Sequence, residues 1–276
     1  MKKTVLGVPV DLVDQSEAVR EILQWSRSGG DKVRVVATAY SEFFVNAVND
    51  IDFRMALEGS DLVTPDGIGP LAAIYFNGIV KSEDSTVVKL LKGLKTGLAV
   101  LTRKVGQPVS GYWLFNALID KAAKEGFSVF LLGGFDETAS KLAEKIRNQH
   151  QGIRLESDAG VRFGKLAEID KEKDATVVAK INKFKPDLLF VAYGPVKQEK
   201  WLAAHRNELK VKVAMGVGGT FDEALGLVKE APVFMSQIGL KWLWRLLQQP
   251  RRLPRIIKAT VVFAWLVFVE SLQKGK

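Results

Sequence analysis

SVFLLGGFDETASKLAEKIRNQ, residues 128–149, decides the fold. Ser128 to Leu132 is a short apolar run of the kind buried on both faces of a sheet. Gly133 and Gly134 end it, and Glu137 to Gln149 then follows an amphipathic helical pattern. A strand that passes through a glycine turn into such a helix is half of a βαβ unit. The motif recurs outward in both directions. Val33 to Ala37 precedes a helix over Ser41 to Val48, and Asp61 to Thr64 is broken by Pro65-Asp66-Gly67. Asp187 to Ala192 follows Pro186, and Val211 to Met215 ends at Gly216 and Gly218-Gly219. The expected class is α/β: a parallel sheet with flanking helices and a ligand crevice at the carboxyl ends of its strands. The punctuating glycines and Asp66 fall at those ends.

The 276 residues contain no cysteine, which excludes disulfides, thiolate zinc sites and cysteine nucleophiles and favours a cytosolic setting. The start, MKKTVLGVPVD, does not read as a signal peptide, because its apolar run is short and interrupted by Pro9 and Asp11. Charge is concentrated at the other end. Lys241 to Lys276 holds eight Lys or Arg and one acid, Glu270, so 8 − 1 = +7 of the chain's +9. Trp242, Trp244, Trp265, Phe263 and Phe268 are interleaved with these cations. That mixture suits an anionic membrane surface, and its long aliphatic runs disfavour nucleic acid. The longest uncharged run, Ala259 to Val269, has eleven residues. A span needs about 20, so the tail is expected to lie on the bilayer. Alternatively it packs on the body or a partner subunit, which leaves a homo-oligomer open. Residues 1–240 form the expected body and 241–276 the appendage. Residues 85–109 carry Lys89, Lys92, Lys95, Arg103 and Lys104 and no acid. Val87, Leu90, Leu91, Leu94, Leu98 and Leu101 recur there at helical spacing, either as a second amphipathic membrane contact or as a stripe packed on the body.

Thr64-Pro65-Asp66-Gly67-Ile68-Gly69 is the sharpest chemical signal. Gly67 and Gly69 clear space around a carboxylate on a strand-to-helix turn, so Asp66 is a candidate general base or a helix N-cap. Gly133 and Gly134 offer backbone N–H groups to a diphosphate, although the following acids could be plain caps. In Gly194-Pro195-Val196-Lys197-Gln198-Glu199, Lys197 suits phosphate, and Gln198 and Glu199 suit sugar or ribose hydroxyls. Gly218 and Gly219 close another strand. Arg245, Arg251, Arg252 and Arg255 in the tail suit a lipid diphosphate. Asp50-Ile51-Asp52 has the form of a metal-binding motif but falls in a helix–helix connection and is discounted. His150 and His205 read as structural. No metal and no cofactor is expected.

Together these pieces resemble the bacterial WecG/TagA/CpsF family of glycosyltransferases. The resemblance rests on TPDGIG (64–69), VFLLGG (129–134), PDLLFVAYGPVKQEKW (186–201), GVGGTFDEALG (216–226) and GLKWLWRLLQQPRRLPR (239–255), in family order. It implies a Rossmann-like body of the GT-E type and a C-terminal membrane-docking appendage. It also implies inverting, metal-independent transfer of an N-acetylhexosamine, typically N-acetylmannosamine, from a UDP-sugar to a polyprenyl-diphosphate-linked sugar. The catalytic aspartate would be Asp66, the pocket threonine Thr38 and the pocket glutamine Gln198. Arg245, Arg251 and Arg252 would contact the lipid diphosphate. The setting would be peripheral, on the inner face of the plasma membrane, in cell-envelope polysaccharide synthesis. Other donor–acceptor pairs in capsule synthesis, or a non-catalytic nucleotide- or lipid-binding member, are the alternatives. An oxidoreductase lacks its full glycine fingerprint here. Tyr40 stands where the family usually has Asn, and Pro108 where it has a substrate-contacting Arg, for which Arg103 or Lys104 are candidate replacements. Glu230 and Lys241 reverse two family charges and are expected to pair.

Overall fold

The computed structural model describes residues 1–28, 32–164, 169–228, 232, 235, 241–248 and 250–273, with Lys241, Arg245 and Arg252 described in backbone only. Six strands form one parallel sheet: β3 (Arg34–Ala39), β4 (Leu62–Pro65), β5 (Val129–Gly133), β6 (Leu155–Asp158), β7 (Leu188–Ala192) and β8 (Val213–Gly216). Their spatial order is β4-β3-β8-β7-β5-β6. A small antiparallel hairpin, β1 (Lys2–Val5) and β2 (Val8–Asp11), precedes the sheet. Its turn residues Leu6 and Gly7 both have positive φ, 47° and 82°, as a two-residue hairpin of matching twist requires.

β4, β5, β7, β8 and all of β3 beyond Arg34 are buried on both faces, which is why they read as unbroken apolar runs. In β5, Val129 and Leu131 join a core with Ile22 of α1 (Gln15–Ser28), Leu118 of α6 (Gly111–Glu125) and Leu142 of α7 (Thr138–Gln149). Phe130 and Leu132 point the other way. They meet Ile181 of α8 (Lys171–Phe184) and Trp201 of α9 (Lys197–His205). Phe43 and Phe44 of α2 (Ser41–Asn49) and Phe53 of α3 (Ile51–Glu58) form a third cluster. It also takes Phe76 of α4 (Ile68–Ile79). The remaining body helices are α5 (Thr86–Leu101) and α10 (Thr220–Leu225).

The tail forms α11 (Lys241–Gln248) and α12 (Leu253–Gln273), the latter with a π-helical segment at Lys258–Val262. α12 is 21 residues long and, by length and composition, apolar enough to cross a membrane. The eleven-residue uncharged run had suggested otherwise. The helix simply continues through Lys258, whose Nζ donates to Asn46 Oδ1 at 2.5 Å. One side of α12 is committed to the body. Phe263, Val267 and Ser271 are buried at i, i+4, i+8, and the Phe263 ring lies 5.8 Å from that of Phe44.

Candidate active site

β3 and β4 end side by side, with Thr38 opposite Thr64 and Ala39 opposite Pro65. The chain leaves β4 through Asp66, whose N–H donates to the Ala39 carbonyl at 3.0 Å. Gly67 has φ 83° and occupies the N-cap of α4. A Cβ on Gly69 would fall 2.0 Å from Ser41 Oγ. These two demands explain the glycines of TPDGIG. Because Gly67 takes the cap, Asp66 is not the cap of this helix. Its Oδ2 instead lies 3.4 Å from the N–H of Gly111, the first residue of α6. A Cβ on Gly111 would sit 3.0 Å from Thr38 Oγ1 and 3.4 Å from Asp66 Oδ2, so Thr38, Asp66 and Gly111 meet at one point. Gly111 was missed in the sequence. Its signal was Ser110, the N-cap of α6, standing before an apolar helical pattern.

From this point a cavity of about 500 Å³ opens. Tyr40, Ser41, Asp66 and Ser110 supply polar groups to its lining. Ile68, Ala72 and Phe76 of α4, Gly93 and Thr96 of α5, Trp242, and Phe263 and Val267 of α12 make the remainder largely apolar. Pro108 lines it too, whereas Arg103 and Lys104 do not.

Tyr40 connects this lining to the tail. Its hydroxyl donates to Glu42 Oε2 at 2.9 Å and accepts from Arg255 Nη2 at 2.8 Å. Arg255 also donates from Nε and Nη2 to Glu42 Oε2, at 3.1 and 2.9 Å. Burial holds the Tyr40 hydroxyl far above the usual phenol range, so it stays protonated. Arg255, expected at a lipid diphosphate, is therefore engaged in fastening the tail to α2. Arg251 is exposed. The side chains of Arg245 and Arg252, and the Glu230–Lys241 pair, lie outside the described residues.

A second group of residues stands at the carboxyl ends of β5 and β7, farther along the sheet. After β5 the chain turns through α7 toward β6, and after β7 it turns through α9 toward β8. Connections that diverge from neighbouring strands leave a crevice between them. Gly133 and Gly134 stand on one side of it, with the Gly134 N–H bonded to the Ala192 carbonyl at 3.0 Å. Lys197 stands at the start of α9, its Nζ 5.2 Å from the Phe163 ring centroid. Gln198 and Glu199 are buried and brace this part of the sheet from behind. Gln198 Oε1 accepts from the Gly218 N–H at 2.9 Å, and its Nε2 donates to Glu199 Oε1 at 2.7 Å. Glu199 Oε2 accepts from the Val196 N–H at 2.8 Å. Burial pushes the Glu199 carboxyl up to about 7. Gly219 is the N-cap of α10.

The other candidates have structural roles. Asp50 caps α3, accepting from the Phe53 N–H at 3.1 Å, and pairs with Lys200 at 2.6 Å. His205 Nε2 and Trp201 Nε1 both reach Asp174, at 2.9 and 2.8 Å, and His150 pairs with Asp120 at 3.3 Å.

A Rossmann-like sheet with glycine turns and a carboxylate at the carboxyl ends of its strands, and a largely apolar cavity lined in part by a C-terminal helix, is the architecture of an α/β enzyme. Comparison with known proteins then gives its kind: the chain belongs to the glycosyl transferase WecG/TagA/CpsF family, whose model matches residues 3–96 and 92–276. It is a glycosyltransferase. Similar proteins occur in Bacillus spizizenii (29% identity over 232 residues, 82% of this chain and 76% of the relative) and Staphylococcus aureus strain MRSA252 (27% over 266 residues, 96% and 92%). A third, in Bacillus subtilis strain 168, is 29% identical over 224 residues, 81% of this chain and 75% of the relative. Each is named N-acetylglucosaminyldiphosphoundecaprenol N-acetyl-beta-D-mannosaminyltransferase.

Proposed function

We propose that this enzyme transfers an N-acetylhexosamine, N-acetylmannosamine in the first instance, from a UDP-sugar to a polyprenyl-diphosphate-linked sugar, with inversion and without a metal ion. Residues 241–276 act as a peripheral membrane appendage to the body, on the inner face of the plasma membrane. The observation that carries the reading is Asp66 among the few polar groups lining a cavity that is otherwise apolar and partly built by the tail. That mixture suits an acceptor that is a sugar at one end and a lipid at the other. The names of the relatives support the same substrate pair.

In this mechanism a hydroxyl of the acceptor sugar attacks the anomeric carbon from the face opposite UDP. Asp66 takes the hydroxyl proton as the new C–O bond forms, and the bond to UDP breaks with its electron pair on the diphosphate. Thr38 and the Gly111 N–H orient the carboxylate. The glycine turn at Gly133 and Gly134 leaves room for the leaving diphosphate, and Lys197 stabilises its charge, a role filled by metal ions in other transferases. Gln198 and Glu199 hold the Gly218-Gly219 turn in place. Arg245, Arg251 and Arg252 engage the lipid diphosphate. Closure by α12 limits water and hence donor hydrolysis.

The test is incubation with a panel of UDP-sugars and a short-chain polyprenyl-diphosphate-N-acetylglucosamine, followed by analysis for elongated lipid. Product with UDP-N-acetylmannosamine that falls by about 10²-fold or more in Asp66→Asn is expected. Full activity in Asp66→Asn, or no product with any pair, would overturn the reading.

A further inference from the structure

We propose that α5 inserts its leucine face into an anionic phospholipid monolayer and so forms a second membrane contact beside the tail. This goes beyond the transfer reaction and does not depend on it.

The helix is amphipathic in the inverted sense. Lys89 and Thr96 are buried, and Lys92 pairs with Asp84. Val87, Leu90, Leu94, Leu98 and Leu101 face outward, between 54% and 73% exposed. At about 100° per residue these two sets lie on opposite sides of the helix. A helix of a water-soluble protein normally turns its leucines inward, and a contiguous apolar patch of this kind marks an interaction site. The polar side is held inward by a specific bond: Lys89 Nζ donates to the Ser271 carbonyl of α12 at 2.8 Å.

Charge and continuity identify the occupant as lipid. Residues 85–109 contain five Lys or Arg and no acid, so exposed cations such as Lys95 and Lys104 border the leucines. This is the arrangement of a helix lying at an anionic headgroup layer. The bond to Ser271 sets α5 against α12, whose own outer side shows Val261 and Trp265 at 66% and 62% exposure. The Asp66 cavity lies between them, walled by Gly93 and Thr96 of α5 and by Phe263 and Val267 of α12. Lipid contact through both helices would bring its opening to headgroup depth. The two stretches matched by the family model overlap at residues 92–96, inside α5.

Because the chain has no cysteine, a single Leu94→Cys can be labelled with an environment-sensitive fluorophore in the full-length protein. Vesicles of phosphatidylglycerol and phosphatidylcholine, with and without spin-labelled lipid, are the probe, and Ser140→Cys on α7 is the control. A blue shift and lipid quenching at 94 but not at 140 is expected. In unlabelled protein, Leu94→Asp with Leu98→Asp should weaken vesicle binding at least tenfold with the melting temperature unchanged. No shift at 94 while the protein binds vesicles, or no vesicle binding at all, would overturn the proposal. So would a dimer in solution that the double Asp variant dissociates, which would assign the face to a second copy. Insertion at 94 without sugar transfer would overturn the proposed reaction and leave this contact standing.

Discussion

Gly111 illustrates how much of the site depends on single atoms. With Thr38 Oγ1 3.0 Å and Asp66 Oδ2 3.4 Å from where its Cβ would be, Gly111→Ala must shift Thr38 by a few tenths of an ångström and set a methyl group in contact with the carboxylate. Transfer should fall about tenfold or more through misplacement of the carboxylate, with little change in melting temperature. Steady-state kinetics beside a thermal melt checks this. Tyr40 and Glu42 make a second residue-scale prediction. Tyr40→Phe removes one hydroxyl and should cost about 1 kcal/mol, whereas Glu42→Ala strips Arg255 of its carboxylate and should loosen α12 more. Proteolysis rates within 253–273 rank the two, and equal rates would refute the latch. Glu199 gives a pH dependence. Its carboxyl sits at about 7 in the native protein against an ordinary 4.5, so the native state keeps a proton that the unfolded chain releases. The associated stability is complete below about 4.5 and is lost as pH rises through about 7. Glu199→Gln should flatten that slope in urea unfolding at pH 5 and pH 8. Asp66 was legible in the sequence, but its role was divided between base and cap, and only the position of Gly67 removed the cap. Gln198 and Glu199 were expected to face sugar or ribose hydroxyls. Gly218, the partner of Gln198, is 20 residues away and comes within reach only once β7 and β8 have paired.

Among elements, the strands that were legible are those buried on both faces, where apolar runs leave no ambiguity. β6, whose sequence is LESD, is an edge strand with polar residues and carried no such pattern. The β1–β2 hairpin was equally silent, because Leu6 stands where Asn, Asp or Gly normally marks the turn. In α5 the period was plain and the facing was not. A stripe of leucines looks the same in sequence whether it turns toward the body or away from it. α12 raises the complementary point: its buried face is set by α2. Phe263→Ala should cost about 3 kcal/mol of tail packing by emptying the space beside Phe44. Hydrogen exchange in α12 should accelerate while exchange in β5 and β7 stays slow.

Across the whole molecule, the net positive charge is concentrated in the tail. The tail contributes +7 of the net +9, and α5 adds cations beside its exposed leucines. Vesicle binding by the full chain should therefore require anionic lipid and weaken several-fold between about 0.1 and 0.5 M salt, as the screening length shrinks. A sedimentation assay checks this, and salt-independent binding to neutral vesicles would contradict it. The alternation of strands and helices, the glycine turns at strand ends and the basic aromatic tail follow from the order of residues, because each depends on neighbours within a few positions. The meeting of Thr38, Asp66 and Gly111, the latch from Tyr40 to Arg255 and the outward turn of α5 were settled only by folding. Each joins side chains far apart in the chain, and which of them come within reach depends on how the sheet orders its strands and where the tail comes to rest.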